Sequence, residues 1–113
     1  MNVETIRNYC LAKPGVTEGL PFGPDVVVFK ANNKIFLLLP LDTDDLRFNV
    51  KCNPELATEL RASFSAVRPG YHMNKQHWNT VLIDGSIPVA TLLSFIYHSY
   101  ELVAGNANKK RSR

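Results

Sequence analysis

Hydrophobic positions in this chain recur with two different periods, and the switches between them divide it into elements. Val3, Ile6, Tyr9 and Cys10 fall at i, i+3, i+6 and i+7, which predicts a helix over Val3–Ala12 stopped by Pro14-Gly15. GVTEGLPFGPD, rich in glycine and proline, reads as an ordered loop. Val26–Ala31 and Lys34–Leu39 are dense in β-branched, aromatic and aliphatic residues and predict two strands. Asn32-Asn33 between them suits a two-residue hairpin, because asparagine tolerates positive φ. Leu46, Phe48 and Val50 alternate with Arg47, Asn49 and Lys51, the period of a strand with one buried face. Asn53-Pro54-Glu55 is a helix start, with Asn as cap, Pro at the first position and an acid in the first turn, and Leu56, Leu60 and Phe64 continue it. Ala66–His72 and Trp78–Asp84 predict two more strands flanking HMNKQ, and Asp84-Gly85 turns the chain. Pro88 opens a last helix whose stripe is Val89, Leu92, Leu93, Ile96, Tyr100 and Val103, with Gly105 as its terminator. The order is α-β-β-β-α-β-β-α. Adjacent strands joined by short turns imply an antiparallel sheet, here of five strands, with helices on one face: an α+β fold, a two-layer α/β sandwich.

Length and composition add limits. The 113 residues suit one domain, taken as 1–105, with 106–113 as a flexible basic tail. The longest apolar run, Ile35–Leu39, is strand-sized, far short of the roughly 20 residues that span a bilayer. The first ten residues lack the basic-then-apolar pattern of a secretory signal, so the expected location is the cytoplasm, with no membrane partner. Cys10 and Cys52 have no zinc or CxxC spacing and read as buried small hydrophobes. The net charge of +3 belongs to the tail: without Lys109, Lys110, Arg111 and Arg113, nine Lys and Arg face ten Asp and Glu, a net of −1. A phosphate-binding surface on the body would therefore be a local patch.

Candidate chemistry is sparse. His72 and His77 are five apart with no carboxylate or thiol to complete a metal set, and His98 falls off the apolar stripe of its helix. There is no GxSxG, no phosphate-binding GxxxxGK[ST] and no GxGxxG, and Asp42, Asp44 and Asp45 lack the glutamate of a calcium loop. No catalytic residue, metal or cofactor is assigned, and whether the chain is an enzyme is left open by the sequence. What remains is Arg68–Trp78, where Arg68, His72, Lys75 and His77 interleave with Tyr71 and Trp78. Cations can meet phosphates there while rings stack on bases. The residues by themselves favour the other reading, in which Tyr71 and Trp78 pack the edge of the core, with Asn74 and Lys75 as solvated turn residues.

Several blocks resemble the MmcQ/YjbR family: LPFGPD at Leu20–Asp25, VFKANNKIFLLL at Val28–Leu39, KCNPELATELR at Lys51–Arg61, PGYHMNKQHWNTVLIDGSIP at Pro69–Pro88 and SYELV at Ser99–Val103. The resemblance implies a two-layer sandwich on an antiparallel sheet, similar to that of type III secretion chaperones. It also implies DNA binding, the label commonly given to the family. The residues expected to contact DNA or a protein partner are Arg68, Tyr71, His72, Asn74, Lys75 and Trp78. Three functions follow as expectations: a small DNA-binding protein, a protein- or peptide-interaction module, and an enzyme or small-ligand binder whose pocket loop, Pro21, Phe22 and Gly23, converges on His72 and Trp78.

Overall fold

A computed structural model describes residues 1–70 and 73–111, the last six of these in backbone only. The elements are α1 (Val3–Leu11), β1 (Val16–Gly19), β2 (Val26–Ala31), β3 (Lys34–Pro40), β4 (Arg47–Lys51), α2 (Pro54–Ser63), β5 (Val67–Pro69), β6 (Trp78–Leu82) and α3 (Val89–Arg111). The strands form one antiparallel sheet in the order β1-β2-β3-β4-β6-β5. The chain therefore reaches the far edge through α2 and β5, and β6 returns to fill the gap beside β4.

The α+β fold stands, but the sheet has six strands where five are expected. The added strand, β1, lies inside the segment read as a loop. Val16 is its only partly buried residue, so no apolar alternation marks it. It is an edge strand made by backbone pairing with β2, from Val16 opposite Ala31 to Gly19 opposite Val28. Arg7 of α1 clamps it: Nε and Nη2 donate to the two carboxylate oxygens of Glu18 at 2.7 and 2.5 Å. A second departure is at Gly105, where α3 continues to Arg111. Gly105 is not left-handed, and the terminator role assigned to it requires that conformation. The β5 strand runs Val67–Pro69, so Ala66 and Gly70 of the expected Ala66–His72 lie outside it, and Tyr71 and His72 are not among the described residues.

The Asn32-Asn33 hairpin turn forms as expected, with φ of 52° and 65°. Just beyond it the ladder slips: Phe29 pairs with Leu37 but Lys30 with Ile35, leaving Phe36 as the extra residue of a β-bulge. Phe36 and Leu37 consequently both enter the main core. The bulge also leaves backbone groups to be satisfied. The fully buried Ser99 of α3 does this, its hydroxyl accepting from Lys51 N–H at 2.8 Å and donating to Phe36 C=O at 2.5 Å.

Helices and sheet share one core, in which Ile6 and Cys10 of α1 and Leu92, Ile96, Tyr100 and Val103 of α3 meet Phe29, Leu39, Phe48, Val50 and Val81. Lys13 closes one side of it, its ammonium 3.5 Å from the ring centre of Tyr9 and within 6 Å of those of Tyr97 and Tyr100. On the opposite face of the sheet a small second cluster, Val28, Leu38 and Trp78, is flanked by Val26, Ile35 and Met73.

The antiparallel register defines two ends of the sheet. At the upper end lie Gly19, Val26, Pro40, Arg47 and Leu82, and at the lower end Val16, Ala31, Lys34, Lys51 and Trp78. The helix α3 runs from upper to lower, since Ser99 reaches Lys51 and Leu102 lies beside Trp78.

Candidate functional site

The connection from β5 to β6 stands at the lower end, and hydrogen bonds knit its described residues together. Asn74 forms an Asx turn, its Oδ1 accepting from Gln76 N–H at 2.9 Å and its carbonyl from Trp78 N–H at 3.0 Å. Gly70 N–H donates to Trp78 C=O at 2.9 Å, and a Cβ on Gly70 would stand 2.8 Å from Cβ of Trp78, so only glycine fits. Cys52 N–H donates to His77 C=O at 2.8 Å and fastens the turn to the end of β4.

Arg61 on α2 completes this knot. Its Nε donates to Oδ1 of the buried Asn79 at 2.7 Å, and Nη2 donates to the carbonyls of Trp78 (3.1 Å) and Lys75. The guanidinium thus spends its donors on the turn and on β6. Sequence reasoning passed over Arg61. Its signal is slight: a cation beside the apolar stripe of α2, adjacent to Leu60.

Among the expected contact residues, Asn74 and Lys75 are exposed, and Lys75 Nζ reaches Gly70 C=O at 3.4 Å. Arg68 is exposed on the helix-free face, opposite Thr80 on β6. Trp78 is only 8% exposed and packs into the second cluster, with the Lys51 ammonium 5.9 Å from its ring centre. Its environment is that of a packing residue carrying a cation, and no base could stack on it without moving its neighbours. Tyr71 and His72 lie outside the described residues. Lys51, Asn53, Asn74, His77, Trp78 and Leu102 surround an open hollow of about 510 Å³.

The other predicted loop is elsewhere. Pro21, Phe22 and Gly23 belong to the β1–β2 connection at the upper end, whereas Met73–His77 stand at the lower end, so the strand lengths separate the two blocks. Pro21 lines a shallow hollow with Val28 and Lys30, and Phe22 is 65% exposed. Leu20 and Leu41 are exposed at the same end.

Charge is distributed along the strands. Upper-end connections carry Asp25, Asp42, Asp44, Asp45 and Asp84 and no Lys or Arg, with Arg47 at the adjoining strand terminus beside Asp45. Lower-end connections carry Lys13 and Lys75 and no Asp or Glu, with Lys34 and Lys51 at the adjoining strand termini. The nearest acid in sequence is Glu55, in the first turn of α2.

Neither thiol is poised to react. Burial pushes Cys10 up to about 12 and raises Cys52 as well, the latter partly offset by Arg61. Among the described residues, no three His, Cys, Asp or Glu side chains come together as a metal set, and no helix is long and apolar enough to cross a membrane.

The YjbR family model matches residues 11–102. The chain belongs to the YjbR family. Its YjbR-family relatives include the uncharacterized protein YjbR of Escherichia coli K12, 33% identical over 101 residues that cover 89% of this chain and 86% of that one. The uncharacterized protein YbdF of Escherichia coli O157:H7 is 35% identical, covering 95% and 88%. The crystal structure of Deinococcus radiodurans protein DR2400 superposes with a TM-score of 0.86 at 36% identity, over 90% of this chain and 78% of that one. A Pseudomonas syringae protein gives 0.79 at 31% identity, over 91% and 99%. The described parts of the family-like blocks of the sequence thus fall on the β1–β2 connection, the β2–β3 hairpin, α2 with its cap, the β5–β6 connection with β6 and the turn after it, and the middle of α3.

Proposed function

We propose that this YjbR-family protein is a cytoplasmic DNA-binding protein that meets the phosphodiester backbone with its lower end, through Lys34, Lys51 and Lys75. The observation that carries this reading is the segregation of charge between the two sets of connections, which gives a near-neutral body one cationic end. A polyanion is attracted to that end and repelled by the other. The knot around Arg61 favours the reading, because a turn held by backbone and guanidinium hydrogen bonds presents Lys75 with little further ordering on binding. Contacts to phosphate alone carry no sequence information, so binding is sequence-independent.

Fluorescence titration of a labelled duplex of about 20 base pairs against the full chain tests this. The expected Kd lies at about 10⁻⁴–10⁻⁶ M near physiological salt and weakens steeply as salt rises. Lys51→Ala and Lys75→Ala should each lower the salt slope by about one on any sequence. No binding below about 100 μM at low salt would sink the reading.

A protein partner is the second reading, favoured by the exposed Leu20, Phe22 and Leu41 at the acidic upper end. It predicts that one protein is recovered with this chain after nuclease treatment and is lost with Phe22→Asp. Recovery that disappears with the nuclease counts against it.

A further inference from the structure

The helix α2 does not close onto the sheet. Of its ten residues only Ala57 is fully buried, while Leu56 and Leu60 are half-buried and face a cleft of about 260 Å³ between α2 and α3. Val50 and Val81 of the sheet form the floor, and Phe95 forms the far wall. Protein interiors rarely leave a gap larger than one water molecule, so something must hold this one open. Polar and aromatic ties at both ends of α2 do so. The cap residue Asn53 donates its N–H to His98 Nε2 on α3 at 3.3 Å. At the other end the Phe64 ring meets Phe95 edge-on, 6.0 Å between centres, while Arg61 is fixed to Asn79 and Trp78. Sliding α2 inward would break these ties.

The lining determines what can enter. Among the described residues that line the cleft only Lys51 is charged, and its ammonium is on the other side of the sheet, over Trp78. The polar members are the Cys52 thiol, which is protonated, and His98, Asn79 and Ser94. Because His98 Nε2 accepts from a backbone N–H, its ring proton sits on Nδ1 and the ring is neutral. An apolar cavity of about 150 Å³ accepts benzene, so this volume admits one or two rings. We propose that the cleft between α2 and α3 is a binding site for a small, neutral, predominantly apolar ring compound. The cleft lies on the helix-covered face of the sheet and adjoins the lower-end hollow at Lys51 and Cys52; the proposal does not depend on DNA binding.

The test uses benzene and indole as probes in a ¹⁵N-¹H correlation titration of the full chain. The expected result is a saturable shift, with Kd of about 1 mM or tighter, centred on the amides of Leu56, Leu60, Phe95 and His98. Leu60→Trp and, as a second variant, Leu56→Trp place an indole in the cleft and should abolish the shift while the β2–β3 hairpin resonances stay in place. Three outcomes overturn the proposal: no saturable shift with either probe, shifts centred on Val28 and Trp78, or undiminished binding in a folded filled variant. Should neither variant fold, the presence and location of the wild-type shifts decide between the expected result and the first two of these outcomes.

Discussion

At the scale of the residue, Arg61 supports the site more than any side chain picked from the sequence. One planar fork satisfies Asn79 and two carbonyls of the turn, a geometry a lysine cannot reproduce. Arg61→Ala should cost about 1.5–3 kcal/mol in urea denaturation, the range for hydrogen bonds to a charged group, and Arg61→Lys should recover little of it. In both variants the amide resonances of Asn74–Trp78 should broaden or shift. Loss of stability with an unchanged turn would show that Arg61 serves only the core. Asn74, Lys75 and Arg68 could be recognised from sequence because turn residues and cations announce exposure by their chemistry. Arg61 could not, because its partners are backbone carbonyls and an amide eighteen residues away, contacts that leave no periodic trace. Trp78 was legible as a ring near cations, but which face of the sheet it took depended on the register with β4.

At the scale of the element, strands and helices with a one-sided apolar pattern could be read, and those made by the backbone could not. β4 shows the first case: Phe48 and Val50 face the core as their alternation demands. β1 and the Phe36 bulge show the second, since both are set by what the neighbouring strand offers. The junction of α2 with α3 has a consequence in acid. Burial lowers the His98 pKa below its ordinary 6.5. Between 6.5 and that lower value the unfolded chain binds more protons than the folded one, so stability is full above pH 6.5 and falls as pH drops toward the folded pKa. Protonation would also remove the acceptor for Asn53 N–H. Melting temperatures measured from pH 7.5 to 5 should therefore decline in wild type and decline less in His98→Gln. An equal decline in both would place the acid sensitivity elsewhere. Burial of His98 comes from the crossing of two helices far apart in sequence, which is why its spacing on α3 alone says only that it leaves the main stripe.

At the scale of the whole molecule, the long axis of α3 and the charge gradient run together. The helix carries the chain past the lower end, so Lys109, Lys110 and Arg111 extend the backbone beyond the cationic connections. Truncation after Gly105 should leave the melting temperature within about a degree, because Ala104 is the last core residue of α3 among the described side chains, while it flattens the salt dependence of duplex binding. A large drop in melting temperature would mean that the last turns are part of the folded unit. Ser99 gives a different view of the same helix. The amide of Lys51 is bonded to a side chain of α3 rather than to the neighbouring strand, so its hydrogen cannot exchange with solvent until α3 lifts from the sheet. In native-state exchange this one strand amide should follow the opening free energy of the α3 core amides, such as those of Ile96 and Tyr100, and report helix undocking from inside the sheet. In Ser99→Ala it should exchange early, with global stability reduced by about 1–3 kcal/mol for the unpaired Lys51 N–H and Phe36 C=O.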